Sequence, residues 1–425
     1  MRIQALLSVV VLSLSTVACA GLSASSPARR GDLPALRSAL QDDFRAGRLS
    51  EHAVSDLAHE VASHELRVAT GKLAITRISQ LRMCASSVAD DLEKRAEGTD
   101  DVAAAAAMAL LDAHLGDPDD LREHASDESP AWRAVGTRTL TRVKDGELRR
   151  ARMLDPDQNV RLAAVRAAED AADPADRAVL LDTARRDPDQ LVRVQALRAL
   201  AATGNADVVL QLKDLWPQAS EPVRQAIVAA WGWPGVFEQG GLREIVWAAE
   251  SQAGTSSIIA GGILLRDGAE HRGVGIAAIA NAIQTGLARD RAFAINMAPL
   301  DDPHVLELVQ AASKDTTEPN VQVAALERLA RDPAHRASAL QTLGQLAVSK
   351  SAAEPLARAA MARLGDRRVT TLLVQDGKSV NAADRLQAAE SLVDLGDWGR
   401  AAQFLADQDV AVRTKTACRL MIAVP

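Results

Sequence analysis

Tyrosine is absent from the 425 residues, and aromatic side chains together make up 2% of the chain. Sugar-binding grooves and single-strand nucleic-acid platforms both stack their ligands on exposed rings, so this poverty argues against either function. Lysine is scarce as well: of 49 Lys and Arg residues only eight are Lys, and the net charge is -7. An acidic chain is a poor general binder of phosphate backbones, whose affinity comes from clustered cations. The arginine preference has a structural use, because a guanidinium forks onto aspartate where an ammonium cannot. Long apolar runs are missing after the N-terminus, and none reaches the roughly 20 residues that a membrane span needs. What remains is 48% hydrophobic and 25% charged, with a mean hydropathy of -0.05. A core made almost wholly of Ala, Leu, Val and Ile suits stacked helices.

The one apolar run lies between Ile3 and Ala18 and ends in Thr16-Val17-Ala18-Cys19. Residues 1–19 therefore read as a signal peptide and not as a fold element. The Cys directly after the run resembles the lipobox of bacterial lipoproteins, although Thr16 stands where that motif usually has Leu. The resemblance implies diacylation of Cys19, and two acyl chains make attachment stable. Ala20 in place of Asp implies, on the same resemblance, an outer-membrane address facing the periplasm. Ala18-Cys19-Ala20 also fits ordinary signal peptidase, which would release a soluble periplasmic protein. Residues 20–32 read as a flexible tether and residues 33–100 as a helical N-terminal cap. Cys84 and Cys418 lie nearly a whole chain apart. In an elongated array they are expected to stay unpaired, as small buried hydrophobes.

From residue 101 to 425 the chain repeats itself. Val160-Arg161-Leu162-Ala163-Ala164-Val165-Arg166-Ala167-Ala168 and Val192-Arg193-Val194-Gln195-Ala196-Leu197-Arg198-Ala199-Leu200 are two copies of one pattern, each preceded by Asp-Pro-Asp-Gln. Anchored on the Arg position, the register runs through Arg133, Arg161, Arg193, Arg224, Ala260, Arg291, Gln322, Ala357, Arg385 and Arg413, at spacings between 28 and 36 residues. Weaker copies centre on Ala103 and Arg67. Three residues after the anchor stands a small side chain, as at Gly136, Ala164, Ala196, Ala294, Ala325, Ala360 and Ala388. Seven after it stands Leu140, Leu200, Trp231, Leu329, Leu364, Leu392 or Leu420. With the apolar residue just before the anchor, these positions form one helix face. A second apolar helix lies between copies, so each unit is a helical hairpin.

The pattern Asp-Pro-x-x-x-Val-Arg-x-x-Ala-x-x-Ala-Leu resembles the short HEAT repeats of about thirty residues. That resemblance implies an all-α fold, an α-solenoid superhelix of about ten to twelve HEAT-like hairpins, with the anchored helices on the concave side. At about 10 Å per stacked hairpin it implies a rod or arc about 100 Å long. It also implies that the Asp before each turn pairs with the Arg of a neighbouring repeat. Such surfaces serve as protein-binding scaffolds, here for partners in the cell envelope, without catalysis, cofactor, small-molecule substrate or nucleic acid. The alternative is an enzyme or accessory subunit, since short HEAT repeats also occur in phycobilin lyases and a dimetal HEAT enzyme, deoxyhypusine hydroxylase, carries recurring His-Glu pairs.

Two motifs invite chemistry. His59-Glu60 and His64-Glu65 suggest a metal, but five residues of separation put the imidazoles about 140° apart around a helix. Gly273-Val274-Gly275-Ile276-Ala277-Ala278 matches a dinucleotide fingerprint without the strand that should precede it, so tight helix packing or a flexible joint is expected there. Two further groups are candidate protein-binding residues. Arg138, Arg166 and Arg198, five positions beyond their anchors, form a basic column. Trp233, Phe237 and Trp247 belong, with Trp216 and Trp231, to a cluster holding half of the ten aromatics, at the longest repeat spacing. Trp231 falls on the Leu position and is expected in the core. Trp233 and Phe237 either pack the insert or meet a partner.

Overall fold

The computed structural model describes residues 22–204, 206–251 and 254–424, and among these every regular element is helical. Cys19 lies outside the described residues. The turn before each anchored helix is built by aspartates. Asp155, Asp187 and Asp407 accept hydrogen bonds from the backbone N–H groups of Asp157, Asp189 and Asp409. Those second aspartates then cap the helices Gln158–Ala171, Gln190–Ala202 and Val410–Ala423 through their first-turn N–H groups. Each such cap contributes about 1 kcal/mol.

The expected apolar face is the core. Val160, Val192, Val223, Val321 and Val412 are at most 5% exposed, as are Leu140, Leu200, Leu329, Leu392 and Leu420. At the small position the backbones touch. A Cβ added to Gly136, in the helix Pro130–Arg138, would lie 2.0 Å from the amide nitrogen of Ala125. The glycine-rich stretch behaves likewise: Gly275 sits inside the helix Arg272–Thr285, where an added Cβ would lie 2.8 Å from the carbonyl oxygen of Gly261. It is a close helix crossing, with no strand before it.

Anchored helices pack on one another at every step. The order runs Asp101–Asp112, Pro130–Arg138, Gln158–Ala171, Gln190–Ala202, Glu221–Trp231, Gly254–Asp267, Ala288–Met297, Pro319–Ala330, Glu354–Arg363, Ala382–Asp394 and Val410–Ala423. Their hairpin partners approach each other closely at only some steps, which places the anchored layer on the inside of the curve.

The curve closes. Val410–Ala423 packs on Glu51–Val68 and Gly71–Leu81, and Gly71–Leu81 packs in turn on Asp101–Asp112. The solenoid is thus a ring, not the open rod or arc expected from the sequence. One apolar cluster runs through the junction, joining Leu57, Val61 and Ile78 to Val412, Ala417 and Leu420. Cys84 and Cys418, expected to be unpaired, form a disulfide with their Cα atoms 5.5 Å apart. The expectation failed because it took the array to be elongated, so that the two ends would never meet. Residues 33–100, expected to shield one end, cover both.

The tether is a correction too. Within the span 20–32, residues Ser25–Arg30 form a helix with Ala24 and Ala28 buried. Asp43, itself fully buried, accepts from the Ala24 N–H at 3.0 Å and the Ser23 hydroxyl at 2.8 Å. Gly31 ends this helix at φ +67°, and a Cβ there would fall 2.0 Å from the His64 ring. Small and polar composition reads as a linker, yet here the small residues are what fit beneath the neighbouring helices.

Candidate functional site

Anchor arginines are consumed by the architecture. Arg133 forks onto Asp155 at 2.8 and 3.1 Å, Arg161 onto Asp187 at 2.8 and 3.2 Å, and Arg385 onto Asp407 at 2.7 and 2.8 Å. Each also donates to two carbonyls of its own turn. The pairing implied by the repeat signature is therefore present. Arg385 holds the Asp407 carboxyl below its ordinary range against the opposing pull of burial. Arg413, the last anchor, follows the same scheme with a partner 348 residues away: it donates to Glu65 at 2.6 and 2.9 Å. The closing contact is thus one more repeat junction.

Arg138, Arg166 and Arg198, in contrast, come together at the inner face. With Arg82, Asp112, Glu169, Asp170 and Gln195 they line a hollow of about 690 Å³. Arg138 donates to Asp170 at 2.6 Å and lies 3.9 Å from Asp112, while its Nε is buried without a hydrogen bond among the described residues. Arg82 pairs with Asp112. Arg198 stands 3.5 Å from Glu169, which also accepts from Gln195. Arg166, half-buried in the middle, has no hydrogen bond or ion pair among the described residues. Burial, and then the like charge of Arg82, lower its affinity for the proton; Asp112 opposes this, and Arg138 and Arg198 lower it further.

A second hollow of about 550 Å³ shares Arg82, Asp112, Arg138 and Arg166 with the first. Its other walls are mainly aliphatic, including Ile75, Ile78, Met108, Leu162 and Leu191, with Ser79, Asp101 and Asn159 as the polar exceptions. Sequence reasoning found the three repeat-borne arginines because they recur in register. It missed Arg82 and the carboxylates, which stand outside any recurring pattern.

The aromatic cluster divides. Trp231 is fully buried and stacks on Trp216 at 5.6 Å between ring centres. Trp247 meets Trp216 edge-on at 5.2 Å and carries Lys213 Nζ 5.4 Å from its ring centre, so it belongs to the packed group although 38% exposed. Phe237 is half-buried against the same core, and Trp233 is 38% exposed. The extra residues of the long repeat form the short helix Pro234–Val236 and the irregular turn Phe237–Gly241.

His59 Nδ1 bonds the carbonyl of Ser87 at 2.7 Å and His64 Nδ1 that of Arg29 at 3.2 Å, so the two imidazoles serve different segments. No grouping of three potential metal ligands occurs among the described residues. No described helix is long and apolar enough to cross a membrane.

A family model for HEAT repeats matches residues 146–232. No curated protein matches the chain. Among solved structures, an engineered protein is similar at 18% identity over 86% of this chain and 98% of its own, with a TM-score of 0.26. Kap121p bound to Nup53p is similar at 15% identity over 91% of this chain and 49% of its own, with a TM-score of 0.32. Kap121p alone gives 14% identity, 90% and 50% coverage, and 0.31. The chain spans about half the length of Kap121p, and at these scores the overlays say nothing about partners. The class defined by the fold is an α-solenoid of HEAT-like hairpins, closed on itself.

Proposed function

We propose that this protein is a non-catalytic scaffold of the cell envelope, held to the outer membrane by acylated Cys19 and binding a partner protein along the inner face of its ring. The observation that carries the reading is the pair of adjoining hollows on the inner face, about 550 and 690 Å³, the first largely aliphatic and the second rich in arginine. Stacked helical repeats use such extended surfaces to hold polypeptides. The disulfide supports export, because disulfides persist in oxidising compartments and are rare in the cytosol. If Cys19 is the lipidated N-terminus, only Ala20 and Gly21 separate it from the described body at Leu22. Three peptide steps reach about 10 Å, so the ring would lie against the bilayer.

Anchor and scaffold are tested separately. Wild-type protein is expected to take up labelled palmitate and sediment with membranes, and Cys19→Ser to lose both; an unlabelled, soluble wild type retires the anchor. For the scaffold, a photo-crosslinking residue at Leu191, 52% exposed in the inner groove, should give a discrete protein adduct in intact envelopes. The same residue at Val380, 98% exposed in an inter-helix turn, should not. Equal or absent adducts count against a partner on the inner face.

A further inference from the structure

We infer that Arg166 is the seat of a single carboxylate, carried by a glutamate in an otherwise apolar segment of the partner protein, with the apolar part of that segment lying along the neighbouring hollow. The inference rests on the scaffold reading and gives the partner its chemistry. The charges lining the basic hollow are four arginines and three carboxylates. Arg82 is matched by Asp112, Arg138 by Asp170 and Arg198 by Glu169. Arg166 is the one left over. A half-buried guanidinium with no acceptor, crowded by three others of its own sign, is a costly arrangement that a bound anion would relieve.

The surplus of one positive charge selects the anion. A carboxylate neutralises it and can take both arms of the guanidinium fork. A phosphomonoester brings a charge of about -1.5 to -2, which would leave the hollow negative and press against Asp112, Glu169 and Asp170. The neighbouring hollow selects what carries the carboxylate. Ile75, Ile78, Met108, Leu162 and Leu191 offer aliphatic surface in a hollow that Arg166 also lines.

The test uses the full oxidised ring and an array of acetylated heptapeptides of Ala, Leu and Val with one central Glu, beside the same array with Gln. Fluorescence polarisation in about 0.15 M salt reads binding, with exposed ion pairs partly screened. A subset of Glu peptides is expected to bind roughly tenfold or more tighter than their Gln counterparts, the size of a hydrogen-bonded charge. Arg166→Gln should remove that difference without lowering the melting temperature, because the residue it replaces has no partner to abandon. Arg166→Lys, which keeps charge but loses the fork, should fall between. Equal binding of Glu and Gln peptides, an unaffected Arg166→Gln ring, or no Glu peptide bound at all would each overturn the inference. Binding of decanoate at Arg166 with no peptide retained would also overturn it and give the seat to a fatty carboxylate. An adduct at Leu191 alongside failed Glu selectivity leaves the scaffold standing and removes only the carboxylate.

Discussion

Arg149 is the largest fully buried charged side chain, and nothing in the repeat pattern singles it out. Its Nε donates to Asp176 at 2.6 Å, its two terminal nitrogens reach Asp173 at 3.2 Å and the carbonyls of Leu140 and Arg142 at 2.8 and 3.0 Å, and Asp176 is fully buried with it. The anchor arginines could be read from the sequence because each recurs with its aspartate at nearly constant spacing. Arg149 could not, since its acceptors are assembled by a single junction. A buried pair of this kind is costly to break from one side, because the partner stays behind unpaired. Arg149→Ala is expected to destabilise the ring by about 3–5 kcal/mol, read as a lower urea midpoint. Arg186→Ala, whose side chain is 76% exposed in an i,i+4 pair with Asp182, should change it by less than about 0.5 kcal/mol. Similar losses in both would mean that the Arg149 network is not formed.

Helices were legible where period and turn agreed. Spacing alone places Ala164, Ala196, Ala325, Ala360, Leu200, Leu329 and Leu392 in the core, and they are buried there because those junctions repeat the same close crossing, whereas Leu364 at the same register position is only half-buried. At the long repeat, spacing located the insert but could not say which rings turn inward. That choice depends on Gly241, where a Cβ would lie 2.3 Å from the Trp231 carbonyl, so the turn closes tightly over one Trp and leaves the next outside. Trp231→Ala should therefore cost about 3–5 kcal/mol, the usual loss for a buried large aromatic. Trp233→Ala should stay within about 1 kcal/mol of wild type. Parallel thermal melts decide this, and a large drop for Trp233→Ala would put that ring in the core.

At the scale of the whole molecule, closure was illegible because it is a sum. Each hairpin sets only a small rotation relative to the next, and a modest error per unit, accumulated over the array, separates a ring from a spiral. The residues that seal the junction, Glu65 and Cys84, also stand outside the repeat register, so no pattern announced them. Once closed, the array loses the free ends from which repeat proteins fray. Besides the apolar cluster, three kinds of contact hold the seam: the disulfide, the Glu65–Arg413 pair, and polar ties from Arg37 to the Ala406 carbonyl at 2.9 Å and Gln403 to that of Leu40 at 3.2 Å. The disulfide spans 334 residues of sequence, so cross-linking removes much chain entropy from the unfolded state, and its loss should cost about 2–5 kcal/mol. Cys84→Ser is expected to leave the helices formed, because the apolar seam and the ion pair remain, while opening becomes local to the junction. Hydrogen exchange by mass spectrometry should then accelerate first in Val410–Ala423 and Glu51–Val68, with Gln190–Ala202, on a remote arc of the ring, still protected. Acceleration that is uniform around the ring would mean that the molecule unfolds as one unit and that the seam is no weaker than any other junction.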